Sequence, residues 1–465
     1  MDLTKASAKD ILDDLSNRRF SAAELMRATL DRIAAVNGDV NAIVAMKDED
    51  TLMAEARAAD ASPPRGSLHG LPIAVKDLVN VAGIASTQGS PLFKDHVPQS
   101  DDLLAARLRA AGAILIGKTN TPEFGLGSHT FNPVYGATRN PYDPTKSCGG
   151  SSGGAAVVLA TGMLALADGS DMMGSLRNPA AWNNVYGFRP SWGRVPSEPV
   201  GDSYLHQLST LGPMARSPED IGVLLDVMSG PDPRIPLSTE VSDISPVQAA
   251  DLTGMRIGWL GDWGGAFPCE AGILGLCRDA LTAFEDRGAR IEALAPPFDA
   301  EQIWDSWITL RSWSVATGLE PLIAKKASLK DTAQWELDRG LSLSAMDVHR
   351  ASVIRSDWHR RAAELFEDYD ALVLPAAQVW PFDIEKPYPT EIKGQGMDTY
   401  HRWMQVVTPV SLLGLPCLGT PAGFGANGLP MGVQVFGPRG SDAKLLSMGA
   451  AYHAETRRPQ QIPAM

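Results

Sequence analysis

"CGGSSGGAAVVLATG", Cys148 to Gly162, sets four glycines around two adjacent serines and then runs into an apolar segment. Three chemistries use a loop of this kind: a cradle for phosphate, a nucleophile elbow, and a hydroxyl relay serving a nucleophile placed elsewhere. A formal phosphate-loop match lies nearby in "GAILIGKT", Gly112 to Thr119. That loop needs four irregular residues after a strand, whereas Ala113 to Ile116 are apolar enough to be the strand itself, so Lys118 reads as structural. "GGSSG" also satisfies the G-x-S-x-G pattern of an elbow, which requires a strand directly before its serine and a later histidine. The preceding "RNPYDPTKSC", Arg139 to Cys148, carries two prolines and several turn formers, so no central strand leads into the loop. The eight histidines leave a partner for an elbow serine available, but none stands in H-E-x-x-H or another metal-pair spacing, and no metal site is expected.

Outward from this loop, helix and strand alternate. "SAAELMRATLDRIAAVN" begins with Ser21 and Glu24 in capping-box spacing and puts Met26, Leu30 and Ile33 on one helical face. "LPIAVKDLV" offers a short apolar strand with Lys76 at its exit, and "LLAARLRAAGAILIGKT" reads as helix, glycine stop and buried strand. "SPEDIGVLLDVMSG" supplies Ser217 as N-cap, Pro218 in the first turn and Gly230 as terminator. Residues 231–250, rich in proline, serine and aspartate, read as a long surface connection. Beyond them "MRIGWL", a helix carrying Leu274, Cys277, Leu281 and Phe284, and "ARIEAL" repeat the strand, helix, strand order, with later strands at "ALVLP" and "MGVQVFG". The pattern predicts an α/β sheet covered by helices. Nine tryptophans fall between Trp259 and Trp403. They either line a pocket for an apolar substrate or fill core, and core is the expectation for most of them.

Composition narrows the partners. The chain has 465 residues, 44% of them apolar, enough for a large core, and its length alone suggests two or three domains. Forty-one basic against fifty-four acidic residues leave a net charge of -13, which repels nucleic acid and anionic membrane. The N-terminal "MDLTKASAKD" has no basic leader followed by an apolar run, and Ala155 to Ala167, the longest nearly apolar stretch, is too short to span a bilayer. Cys148, Cys269, Cys277 and Cys417 lack metal-ligand spacing and are too sparse for a disulfide scaffold, which fits a reducing cytoplasm.

The relay reading takes in both flanks of the loop. Lys76 leaves an apolar strand, "CGGSSGG" follows, and "DGSDMMGSLRNPA", Asp168 to Ala180, places Ser175 after a glycine at the start of a short helix. Together with "GKTNTPEFG", "YGATRNPYDP", "GFRPSWGRVP", "GPMARSPEDIGVLLDVMSG", "LVLP" and "GLPMGVQVFGP" in their usual order, these stretches resemble the amidase signature family over nearly the whole chain. The resemblance implies one amidase signature domain, residues 1–465. It divides into an N-terminal helical segment (1–65), a core bearing the catalytic residues (66–230) and a second half (251–465) that completes the sheet and the substrate pocket. The fold implied is a single large mixed β-sheet covered by helices on both faces.

The same resemblance implies a Lys76, Ser151, Ser175 triad in which neutral Lys76 draws a proton through Ser151 from Ser175. A cis peptide at Gly150–Ser151 and an oxyanion hole from the backbone N–H groups of Met172, Met173, Gly174 and Ser175 belong to the same pattern. A neutral lysine requires burial, since an ammonium accepts no proton. Ser152, Gly150 and Cys148 stand behind the relay, and Gly125 and Phe131, in "GLGSHTF", correspond to a substrate-facing loop. Asp77, Asp171 and Arg177 match family positions and read as structural supports. Where the family commonly has "DTGGS" this chain has "DMMGS", so Met173 brings a side chain to a usual glycine position. The function implied is hydrolysis of an amide, or of an ester or carbamate by the same seryl acyl-enzyme route, with no cofactor. The methionine pair and the aromatic supply lean toward a bulky apolar or aryl small-molecule substrate, such as an anilide or urethane. The alternatives are the glutaminase-type component of a tRNA-dependent amidotransferase and a non-catalytic binding protein on the same fold. A homodimer is the expectation on base rates.

Overall fold

Eight strands hydrogen-bond into one mixed sheet in the computed structural model, which describes residue 2 and residues 4–323 and 329–465. Residues 1 and 3 of the N-terminal segment and 324–328 of the second half lie outside the described residues. From one edge the strands are Arg290–Ala293, Arg256–Trp259, Ala371–Pro375, Pro430–Phe436, Cys417–Phe424, Tyr186–Arg189, Thr210–Ala215 and Leu166–Asp171. The first three run parallel and every later pairing is antiparallel. Cys417–Phe424 bonds to Tyr186–Arg189, so strands from the first and second halves of the chain share the sheet. The central runs Ala371–Pro375 and Pro430–Phe436 are buried throughout, as strands covered on both faces must be.

Contacts at single residues show the two covers. A side chain at Gly432 would strike Ala181 of the helix Arg177–Trp182, which lies on the Gly432 and Gln434 face. Leu418 sits opposite Val435 in the ladder, on the other face, where the helix Asp442–Thr456 brings Gly449 against it. The caps read from sequence are present. Ser21 and Glu24 form a full capping box on Ala22–Val40, and the Ser217 hydroxyl accepts from Asp220 N–H at the start of Pro218–Met228. The second-half helix is split into Ile273–Ala280 and Thr282–Glu285 with Leu281 at the joint. Trp263, Trp304, Trp307, Trp358 and Trp403 are buried in the main core, and the other four of the nine pack against it.

A second sheet of three strands, Ile43–Val44, Ile114–Thr119 and Pro72–Lys76, stands beside Leu166–Asp171. "GKT" forms the end of the Ile114–Thr119 strand, which removes the phosphate-loop reading. Buried Lys118 donates to the Val79 carbonyl and lies 3.9 Å from Asp77. A side chain crosses the seam between the sheets: the backbone N–H of Lys76 donates to Asp168 Oδ1 at 3.0 Å.

Asp171, the last residue of its strand, is fully buried and holds several segments at once. Its carboxylate accepts from Arg177 Nε and Nη2 at 3.0 and 2.9 Å, from Arg189 Nη1 at 3.0 Å, and from the backbone N–H groups of Gly174 and Leu176. Arg177 continues to Gln434 and Ser411, and Arg189 to the Leu208 carbonyl, so the tie reaches the middle of the large sheet. Burial opposes ionisation of Asp171, but Arg177 and Arg189 outweigh it and hold the carboxyl well below the usual range. A carboxyl more acidic when folded contributes its full stabilisation above the unfolded value near 4 and loses it as pH falls through the folded value. Asp171→Asn, which leaves two buried guanidinium groups without their counter-ion, is expected to cost about 3–5 kcal/mol in denaturant unfolding at pH 7, with the difference shrinking in acid. A cost below about 1 kcal/mol would remove this tie from the account.

Candidate active site

Three local structures deliver the residues named from sequence. Lys76 ends a strand whose five residues are all buried. The glycine-serine loop precedes the helix Gly153–Ala160, and its Gly150–Ser151 peptide is cis. Gly149 needs to be glycine on two counts: its φ is +79°, and an added Cβ would lie 2.5 Å from Asn178 Oδ1. The backbone N–H of Gly150 donates to that same oxygen at 3.3 Å. Ser175 follows Gly174, whose φ is +77°, in the turn between the Asp171 strand and the helix Arg177–Trp182.

Lys76 Nζ lies 2.7 Å from Ser151 Oγ, 2.9 Å from Ser152 Oγ and 3.0 Å from Ser170 Oγ. Burial brings the amine down to about 7, against the opposing pull of Asp168 and Asp171. Ser152 occupies the N-cap position of Gly153–Ala160, though its side chain makes no capping bond, so the amine that touches its hydroxyl sits near the positive end of that helix, which disfavours a second positive charge. An amine near 7 is substantially neutral at physiological pH and has a lone pair to accept a proton.

Ser151, Ser170 and Ser175 all line one cavity of about 350 Å³. The Ser175 hydroxyl makes no hydrogen bond to any described residue, whereas that of Ser151 is held by Lys76. One link of the relay is therefore formed, and the link between the two serines is not. Met172 and Met173 form part of the wall, and their N–H groups and that of Ser175 have no acceptor among the described residues. The Gly174 N–H departs from expectation: it donates to Asp171 Oδ1 at 2.9 Å and is thus committed to the turn rather than to an oxyanion. Three of the four expected donors remain open.

Among the remaining residues named from sequence, Gly125 borders the cavity, and a side chain there would lie 3.6 Å from Ser151 Oγ and only 2.8 Å from Leu78. Phe131 does not. It lies in a two-residue strand, is 42% exposed, and rests against the His129 ring outside the cavity. Cys148 is a fully buried thiol, pushed up to about 12 by burial, and is not part of the cavity wall. Asp77 anchors the loop after Lys76 by accepting from Thr87. Among the described residues no cluster of three or more His, Cys, Asp or Glu could hold a metal ion, and no helix is long and apolar enough to cross a membrane.

Sequence reading missed the opposite wall. The helix Ala300–Ile323 contributes Arg311, Ser314, Val315, Gly318, Leu319 and Leu322. These positions recur at three- and four-residue steps, a stripe visible in "LRSWSVATGLEPL" once one asks which face meets a ligand rather than core. None of the tryptophans reaches the cavity; Phe93, Phe124, Met172, Met173 and Met404 give it its aromatic and thioether surface. Ser170, the third hydroxyl on Lys76, was in plain view within "DGSDMMGS" but carried no signal of its own.

Comparison with known proteins places the whole chain in a family. Residues 24–446 match the Amidase family. The chain is 33% identical over 480 residues to an acylamidase of Rhodococcus erythropolis, covering 98% of this chain and 97% of the relative. It is 32% identical to a glutamyl-tRNA(Gln) amidotransferase component of Thermosynechococcus vestitus, covering 97% and 98%. Among solved structures, a bacterial aryl acylamidase of the amidase signature family superposes with a TM-score of 0.91 at 27% identity over 99% of this chain and 98% of that one. The peptide amidase of Stenotrophomonas maltophilia does so with 0.81 at 28% over 98% and 99%. This chain belongs to the Amidase family and is an amide-hydrolysing enzyme.

Proposed function

We propose that the cavity hydrolyses small, largely apolar acyl or aryl amides through an acyl-enzyme on Ser175. One observation carries this reading: Ser175, whose hydroxyl makes no hydrogen bond to a described residue, the Lys76-held Ser151, and Met172 and Met173 line one cavity, and the N–H groups of Met172, Met173 and Ser175 have no acceptor among the described residues; the wall mixes Leu, Val, Phe and Met side chains with Gln88, Arg311 and several serines. Ser175 Oγ attacks the amide carbonyl while its proton passes to Ser151 and the Ser151 proton to Lys76 Nζ. The carbonyl oxygen gains the negative charge and takes hydrogen bonds from the open N–H groups of Met172, Met173 and Ser175. Lys76, now an ammonium, returns the proton through Ser151 to the nitrogen as the C–N bond breaks, and the amine departs. Water then attacks the ester, the relay accepts its proton, and collapse frees the carboxylic acid and restores the Ser175 hydroxyl. The Ser151 to Ser175 hydrogen bond is the contact the substrate complex must make, as often happens at catalytic sites. Esters and carbamates suit the same route.

Glutamine is disfavoured by the same lining. Its ammonium and carboxylate need charged partners, and among the described residues the only charged side chain at the cavity is Arg311, already paired with Glu336 at 2.6 Å. All four cysteines are buried free thiols, which supports a cytoplasmic setting. Base rates support a homodimer.

Ser175→Ala is expected to lower kcat for an anilide by about 10⁴-fold or more, and Ser151→Ala by about 10²–10⁴-fold. A serine-directed phosphonate should add one adduct to the wild-type chain, located on Ser175 by peptide mapping. Anilide hydrolysis that survives Ser175→Ala would refute the assignment. Ammonia release from free glutamine, absent in Ser175→Ala, would turn the reading toward the amidotransferase component.

A further inference from the structure

Arg311 is the cavity residue whose chemistry the reaction leaves unused. It is 4% exposed and lies on Ala300–Ile323 at the wall facing Met172. Of its five N–H donors, Nε binds Glu336 Oε1 at 2.6 Å, Nη2 binds the Tyr400 hydroxyl at 2.9 Å, and Nη1 meets only the Met172 thioether at 3.3 Å. This guanidinium makes no other hydrogen bond to the described residues. A thioether is a weak acceptor on a flexible stem, and a buried guanidinium N–H left with nothing better is costly. Both Arg311 and Met172 line the cavity, so this contact forms part of its wall.

The surroundings decide the sign of the ligand. Glu336 is fully buried and also accepts from Ser312 and Tyr400. Lys330, from the segment before the helix Asp331–Ser342, donates to the Leu126 carbonyl and feels Glu123, while His401 beside Glu336 is kept neutral by burial. Arg311, the charged side chain lining the cavity among the described residues, is paired with Glu336, so the wall offers a directed N–H group with little net charge.

We infer that Arg311 is a specificity-determining residue that donates to a neutral acceptor oxygen on the substrate, of the ketone, ether or sulfonyl class, remote from the scissile amide and taking the place of the Met172 sulfur. This rests on the reading that Ser175 cleaves amides in this cavity. A site built to bond an acceptor rejects the isostere lacking it, because its donor is then stranded.

Two matched anilide pairs test it: 4-oxopentanoyl against 4-methylpentanoyl on the acyl side, and para-acetyl against para-isopropyl on the ring. In each pair a carbonyl replaces a methyl-bearing carbon of similar size. The preference is the ratio of kcat/KM within a pair, compared between wild type and Arg311→Met/Glu336→Gln, which removes both charges together. Intrinsic electronic differences and any loss common to both members cancel in that comparison. In at least one pair the preference for the carbonyl member is expected to fall by about tenfold or more. If the double variant does not fold, Arg311→Lys, which keeps the charge but loses the planar fork, should reduce the preference in the same direction. An unchanged preference in both pairs would overturn the role of Arg311. Hydrolysis of the apolar members that persists in Ser175→Ala would instead overturn the reading beneath it.

Discussion

A single buried primary amine, held by three hydroxyl groups, is the constraint around which this protein is arranged. An ammonium at Lys76 would donate to Ser151, Ser152 and Ser170, and a neutral amine would donate twice and accept once, so the same three oxygens serve either state. Ser152 is biased toward accepting, because its own hydroxyl also lies 3.4 Å from the Ser170 carbonyl. Ser151 lines the cavity and is the partner that the proposed mechanism has give up its proton. Burial is what makes this useful. In water the amine would remain an ammonium, and the relay would have no base.

Such an arrangement survives only if the strands that carry it cannot part. Lys76 and Ser170 stand on strands of two sheets that no backbone ladder connects, and Asp168 bridges them through the Lys76 N–H. Asp171 does the corresponding work on the Ser175 side, binding the Met172–Ser175 turn, Arg177 and Arg189 at one carboxylate. By taking the Gly174 N–H, Asp171 shapes the turn so that the N–H groups of Met172, Met173 and Ser175 are left open. Met173 keeps its N–H open and extends the thioether wall.

Legibility from sequence followed locality. The caps at Ser21 and Ser217, the strand at "ALVLP" and the buried strand at "GAILIGKT" are set by residues a few positions apart, and all were readable. Lys76, Ser151 and Ser175 were singled out because several motifs occur in a set order, although no spacing within the chain implies that Lys76 and Ser151 touch, as they do. What escaped notice depends on tertiary placement. Arg311 sits in a tryptophan-rich helix that looks like core, and only packing against the Met172 turn makes one of its faces a cavity wall. Phe131 went the other way: its neighbour Ser128 lines the chamber, but a short hairpin turns the ring outward. The second sheet was equally hidden, because strand pairing between segments distant in the chain leaves no local trace.

Chemical labelling against pH interrogates the buried amine most directly. The second-order rate of Ser175 phosphonylation depends on proton removal but not on substrate release, so its inflection reports the base in the free enzyme. The rate should rise with pH and level off about a midpoint near 7, the value to which burial brings Lys76. A midpoint near the ordinary lysine value of about 10.4, or a rate without any inflection, would contradict the claim that a neutral lysine drives this chemistry.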